Sequence, residues 1–329
     1  MKKLILSVLC LLVLAAGGAY AFLVLKSPEA AAPASVKVEA TAERLERGRY
    51  LFQVVADCGG CHSPRNPEKF GMMPTPEGTG SGFVFPDGMG FPGKIVGPNI
   101  TPDLETGLGQ WSDGEKIRAI REGVSKDGRA LFPFMPYQHF AAMSDEDVYS
   151  LVAYINTLPP VKHALPRTEL DFPVKYLIKF APKPVTAKVG APDRMDKVKY
   201  GEYLVRMGDC IGCHTQMEKG EPVKGLEYAG GHEFPVGSFL VRSANITPDE
   251  ETGIGKWSEE RFVAKFKGYA NLTYENAPRT AQANFTLMPW YGFSQMTEED
   301  LRAIYAYLRT LPAIHNPVDM HPALAMPQS

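Results

Sequence analysis

The sequence has no strong charge of either sign. Thirty-five Lys and Arg stand against 37 Asp and Glu, a formal net charge of −2. No basic block stands out, which argues against nucleic acid as a partner. The charged fraction is an ordinary 22% beside 44% hydrophobic residues, so the composition of a disordered chain is absent. No segment offers convincing period-two strands and no βαβ pattern recurs, leaving a mostly helical reading. Cysteine is sparse, five in 329 residues. One of them, Cys10, lies in an apolar run without the small residue before it that a lipoprotein site would want, and reads as a small hydrophobe. The length predicts about two domains of ~150 residues, each able to bury its own core.

The longest apolar run is N-terminal. Lys2 and Lys3 precede 22 residues without a charge, Leu4 to Leu25, and Lys26 ends the run. A membrane-spanning helix needs ~20 such residues, whereas the apolar part of a cleaved signal is usually ~7–15. An uncleaved anchor over 1–26 is therefore expected. Cleavage after Ala19-Tyr20-Ala21, leaving a soluble periplasmic protein, is the alternative. Both readings export the rest of the chain, and the two lysines favour a cytoplasmic N-terminus. Residues 27–42, rich in Ala, Pro and Val, read as a linker.

Beyond the linker the chain repeats once, over 43–160 and 195–314, with a Pro- and Lys-bearing connection at 161–194 and a C-terminal tail at 315–329. Cys58 and Cys210 are 152 apart, while Met135 and Met288, like Pro159 and Pro312, are 153 apart. Asn99-Ile100-Thr101-Pro102-Asp103 returns as Asn245-Ile246-Thr247-Pro248-Asp249, and Trp111-Ser112 as Trp257-Ser258, both offset by 146. A duplication with compensating insertions and deletions accounts for this. Each copy is expected to open with a helix, from Ala42 and from Lys197, and Ser112 with Glu115 forms a capping box for another. A closing helix follows in each: Ser144 as cap with Val148, Leu151, Val152 and Ile155 on one face, and Thr297 as cap with Leu301, Ile304, Tyr305 and Leu308.

The remaining four cysteines form Cys58-Gly59-Gly60-Cys61-His62 and Cys210-Ile211-Gly212-Cys213-His214. C-x-x-C-H is a c-type haem attachment pattern. Two thiols three residues apart can bond the two vinyl groups of one porphyrin, and the adjacent histidine is held beneath the iron. The glycines are expected to let the chain pass close to the macrocycle. Zinc would use both C-x-x-C pairs together, a thioredoxin-like pair would sit in a βαβ unit, and structural disulfides would not call for the histidines. For the sixth ligand each copy offers Met-Pro-aromatic, Met135-Pro136-Tyr137 and Met288-Pro289-Trp290. Met143 and Met296, just before the closing helices, read as helix-entry hydrophobes. His139 has no histidine counterpart in the second copy and reads as a surface residue; His163, His232, His315 and His321 likewise lack repeat partners. Trp111 and Trp257 could donate to a haem propionate or simply pack.

With these motifs placed, the chain resembles the class I c-type cytochrome domain, present twice. It is most similar to dihaem cytochromes and to the cytochrome subunits of periplasmic alcohol, aldehyde and gluconate dehydrogenases. Those subunits usually carry three haems, and this chain has two motifs. The resemblance implies an all-α fold and two covalent haem c groups, ligated by His62 and Met135 and by His214 and Met288. It implies electron transfer between a donor, a dehydrogenase, and an acceptor, another cytochrome or a terminal oxidase. It also implies a proline carbonyl orienting the proximal histidine, a place Pro98 matches and where the second copy has Ala244. A haem enzyme such as a dihaem peroxidase, or an obligate subunit of a dehydrogenase, is the alternative. The longer second-copy loop from Tyr269 to Leu287 leaves room for the enzyme.

Overall fold

A computed structural model describes residues 1–218 and 221–322; the end of the expected C-terminal tail, 323–329, lies outside the described residues. Helix α1 (Lys2–Leu25) buries none of its side chains. The first repeat holds α2 (Ala42–Tyr50), a π-turn (Leu51–Val55), α3 (Cys58–His62), α4 (Asp113–Glu122), α5 (Tyr137–Phe140) and α6 (Asp145–Ile155). The connection carries α7 (Val174–Leu177). The second repeat holds α8 (Lys197–Met207), α9 (Cys210–His214), α10 (Glu259–Lys267), α11 (Trp290–Phe293) and α12 (Glu298–Leu308).

Local sequence sets the helix starts. Ser112 Oγ accepts from the Glu115 amide at 3.2 Å and Glu115 returns the bond to the Ser112 amide at 2.7 Å, completing the expected box at α4. Ser144 and Thr297 each cap their helix by accepting from the Asp147 and Asp300 amides at 3.1 Å. Three acidic residues follow in the first turn of α6 and of α12, where the helix dipole favours them. The faces read from the spacing are buried: Val148, Leu151, Val152 and Ile155 in α6, and Leu301, Ile304 and Leu308 in α12. Met143 and Met296 are buried at the residue before each cap, as helix-entry hydrophobes.

The opening and closing helices of each repeat cross with almost no separation, and a glycine makes this possible. A Cβ on Gly48 would overlap the carbonyl oxygen of Ser150, and one on Gly201 that of Ala303. The two glycines are 153 apart, as are the two carbonyls. The cysteines, however, are 152 apart. The π-turn Leu51–Val55 lies between Gly48 and Cys58 and has no counterpart in α8. A π-turn accommodates one extra residue in a helix, so it absorbs the one-residue difference without shifting either the crossing or the haem motif.

The repeats share one continuous apolar core, running from Leu51, Phe52 and Leu151 to Leu204, Phe262 and Leu301. Reciprocal polar contacts join them. Tyr50 Oη donates to Asp300 at 2.6 Å and accepts from the Thr297 amide at 3.1 Å. Tyr203 Oη donates to Asp147 at 2.6 Å and accepts from the Ser144 amide at 3.1 Å. Thus each opening helix holds the capped end of the other repeat's closing helix. The Tyr269–Leu287 loop lies along the first repeat: Phe70 stacks on Tyr269 at 5.9 Å, and the Phe70 and Thr280 amides donate to the Pro278 and Glu68 carbonyls.

The Gly/Pro-rich stretch 74–97, read from the sequence as loop with short extended pieces, holds three two-residue strands, and others occur where no strand was expected. Four short antiparallel pairs occur among the described residues, the longest joining Glu233–Val236 to Phe239–Arg242. The hairpin escapes a pattern search because each arm has only four residues and one contains Pro235. The helices carry the core, and these pairs fold the long loops over it.

Candidate haem sites

In both repeats the residue before the first cysteine bends the chain sharply. Asp57 and Asp209 adopt left-handed backbone angles, φ 44° and 49°, and start the short helices α3 and α9. On these helices the cysteines fall at i and i+3, on one face. All four thiols are unpaired. Burial, reinforced by the neighbouring aspartate, pushes Cys61 up to about 11 and Cys210 up to about 12; Cys58 rises for the same reasons. Burial thus favours the neutral thiol over the thiolate of a reactive redox pair.

The histidines are held alike. His62 Nδ1 lies 2.8 Å from the Pro98 carbonyl, and His214 Nδ1 lies 2.7 Å from the Ala244 carbonyl. A carbonyl only accepts, so each Nδ1 carries the proton and each Nε2 offers a lone pair. Desolvation lowers both pKa values, against the pull of the carbonyl, and keeps the rings neutral. A neutral imidazole with its far nitrogen anchored to a carbonyl is the usual form of a metal-ligating histidine. The residue before Asn245 need not be proline, because the contact is made by the backbone; Ala244 serves as well as Pro98.

The Asn-Ile-Thr-Pro-Asp segments hold these carbonyls in place. Asn99 Nδ2 donates to Thr106 Oγ1 at 3.0 Å and the Val161 carbonyl at 2.7 Å, while its Oδ1 accepts from the Thr101 amide and hydroxyl. Asn245 repeats the set with Thr252, Ile314 and Thr247. Both asparagines are buried. Each ties the carbonyl facing the histidine to the chain leaving the closing helix.

The methionines sit in matching turns. The Tyr137 amide donates to the Met135 carbonyl at 2.7 Å, and the Trp290 amide to the Met288 carbonyl at 2.8 Å. The prolines between have φ/ψ of −80°/50° and −78°/64°, close to an inverse γ-turn, with φ fixed by the ring. Met135 and Met288 are half-buried against the shared core. Trp257 packs on that core under the Arg261 guanidinium, 4.6 Å from the ring centroid.

Two features were not legible in the sequence. Gly60 and Gly212 make room for a carboxylate: a Cβ on either would strike the side chain of Asp57 or Asp209, while Gly59 has ordinary space. The aspartates in turn reach the other repeat. Tyr291 Oη donates to Asp57 at 3.0 and 3.2 Å, and His139 Nδ1 approaches Asp209 at 2.7 Å, off the line of a well-formed hydrogen bond. His139, half-exposed as well as in contact with Asp209, thus meets the other repeat, a role the surface reading did not include. Burial outweighs Arg65 and Tyr291 at Asp57 and pushes its carboxyl up to about 7. The two motifs are neighbours, close enough for the Asp209 carboxylate of the second to help raise the Cys61 thiol of the first.

The arrangement fits haem c. Two neutral thiols three residues apart and an anchored neutral imidazole form the donor set for covalent attachment and proximal ligation, and it occurs twice. The cytochrome c family model matches residues 45–159 and again 198–312. The chain is 31% identical over 82% of its length to the gluconate 2-dehydrogenase cytochrome c subunit of Pantoea cypripedii, spanning 60% of that protein. It is 30% identical over 82% of its length to the fructose dehydrogenase cytochrome subunit of Gluconobacter japonicus, spanning 53% of it. It is also 31% identical over 68% of its length to a diheme cytochrome c-type protein of Cereibacter sphaeroides, spanning 73% of it. The chain therefore spans little more than half of the dehydrogenase subunits it matches. With the family's domain present in both repeats, this chain belongs to the cytochrome c family.

Proposed function

We propose that the chain is a dihaem electron carrier working beside a periplasmic dehydrogenase, its domains divided at 43–160 and 195–314. Each bound haem c would supply an iron that cycles between ferrous and ferric. Cys58 and Cys61 would hold the first by thioethers, with His62 and Met135 to ligate its iron; Cys210, Cys213, His214 and Met288 would hold the second. Pro98 and Ala244 fix the proton on each Nδ1, so that both imidazoles present the same nitrogen. The inverse γ-turns at Pro136 and Pro289 fix the backbone just after each methionine. The Tyr50 and Tyr203 contacts keep the two sites in one body.

Donor and acceptor would be a dehydrogenase and another cytochrome or a terminal oxidase of the respiratory chain. Helix α1 would anchor the chain in the inner membrane with both domains on the periplasmic side, a role supported by its 24 largely apolar residues, none of them buried. The observation that carries the proposal is the duplicated imidazole–carbonyl contact beside paired thiols. The Tyr269–Leu287 loop, which left room for a haem enzyme, is occupied in packing against the first domain.

Intact-mass measurement of protein from cells with haem-attachment machinery tests it. Two covalent haems are expected, and one in each of the paired variants Cys58→Ser/Cys61→Ser and Cys210→Ser/Cys213→Ser under denaturing extraction of non-covalent haem. A chain without covalent haem would overturn the proposal.

A further inference from the structure

The segment between the domains meets the end of α1. Tyr176 Oη lies 3.3 Å from Tyr20 Oη, with the rings edge-on at 5.9 Å. Phe180 packs beside Phe22 at 6.3 Å, under the Lys26 ammonium. Lys179 Nζ donates to the Leu23 and Val24 carbonyls at 3.2 and 2.8 Å, which belong to the last turn of α1 and lack helical partners. The same segment turns large apolar groups outward: Phe172 is 69%, Leu177 52% and Phe180 41% exposed. Lys175, Lys179 and Lys183 accompany them. The acidic groups nearby are Glu29, which pairs with Lys183 and Lys26, and Asp171, whose carbonyl receives the Lys175 amide.

Helix length decides where this patch lies. At 1.5 Å per residue α1 is about 36 Å long, slightly more than a hydrocarbon core of ~30 Å. Tyr20 and Phe22, in the last two turns, then fall near the bilayer surface, the level at which aromatic rings collect. The segment touching them is held at that level too. Exposed aromatic and aliphatic groups with lysines among them suit insertion at the headgroup boundary and attraction to anionic lipids.

We propose that residues 172–183 form a second membrane contact, seated on the anionic surface of the bilayer that α1 crosses. This rests on the reading of α1 as a retained anchor. The segment 27–42 is itself tied to the first domain, the Ala31 amide donating to Glu122 and the Val38 amide to Asp113, and the second contact fixes which face of the domains is turned to the membrane.

The test uses full-length holoprotein in vesicles of phosphatidylethanolamine and phosphatidylglycerol, with Cys10→Ala and single spin labels placed at Leu12→Cys, Leu177→Cys or Leu104→Cys. Leu104 is an exposed apolar control, 65% accessible, in the first domain. Collisions with oxygen and with a water-soluble nickel chelate are compared. Oxygen is expected to dominate at 12 and at 177, and nickel at 104. Nickel dominating at 177 while oxygen dominates at 12 would overturn the second contact and leave the anchor standing. Nickel dominating at both, or a chain whose intact mass lacks α1, would overturn the anchor and the contact together.

Discussion

Removing the two interdomain tyrosine hydroxyls tests whether the domains act as one body. Tyr50→Phe takes the 2.6 Å donor from the buried Asp300, which the Tyr200 hydroxyl faces without a formed hydrogen bond. A hydrogen bond to a charged group contributes about 1.5–3 kcal/mol, so a loss near the middle of that range is expected. Tyr203→Phe takes one donor from Asp147 but leaves the Arg47 fork, both bonds 2.7 Å. It also strands the buried Ser144 amide, so a loss of roughly 2 kcal/mol is expected there as well. The two hydroxyls share no hydrogen-bond partner, and the Arg47 guanidinium over the Tyr50 ring, 5.8 Å from its centroid, keeps that ring in Tyr50→Phe, so the double variant should lose about the sum.

The two sites differ in what rescues them. Asp300→Leu, added to Tyr50→Phe, removes the orphaned charge and should recover much of the loss, because deleting both partners costs far less than deleting one. Asp147→Leu, added to Tyr203→Phe, strands the Arg47 guanidinium and should deepen the loss. Denaturant unfolding of the holoprotein, followed by far-ultraviolet circular dichroism, reads all of these. Wild type should unfold in one transition, and the double Phe variant at a lower midpoint. A double variant unfolding within about 0.5 kcal/mol of wild type, inside the scatter of additive sites, would refute the reasoning, as would equal rescue at both sites.

Gly48→Ala and Gly201→Ala should each destabilise by at least about 1–3 kcal/mol, the usual cost of overpacking, because the obstacle is helix backbone; thermal unfolding checks this. Asn245→Ala should free the Ala244 carbonyl, weaken its bond to His214, make that ligand less basic and raise the reduction potential of the second haem alone, read by spectroelectrochemical titration. Asp57 has a folded pKa raised to about 7, so its contribution to stability is present below the unfolded value of about 4 and is lost as pH rises through 7. Stability measured across that window should fall with pH in wild type and fall less in Asp57→Asn.

Much of this was legible because it is local or repeated. The C-x-x-C-H motifs, the capping residues at 112, 144 and 297, and the faces of α6 and α12 are set within a few residues. The offsets of 152 and 153 were visible too, but their cause, a π-turn, depends on how α2 meets α6. Gly48 and Gly201 carry no mark in the sequence, each being small because of a carbonyl brought in by folding, and Gly60, expected to face the macrocycle, instead clears the Asp57 carboxylate. Ala244 looked like a departure from the pattern because side chains were compared where a backbone carbonyl acts. His139 and Tyr291 could not be assigned, since they have no partner within their own repeat. Four-residue strands with a proline in one arm give too short a pattern to read.

The most direct test of the account is the optical spectrum of the reduced, haem-loaded protein with and without carbon monoxide. An unchanged low-spin spectrum is expected, with both irons six-coordinate and Met135 and Met288 in place, and Met135→Ala should open about half the haem to the gas. A shift of about half the haem in the unaltered protein would contradict the account, leaving one iron open and the chain an enzyme to be tried with peroxide.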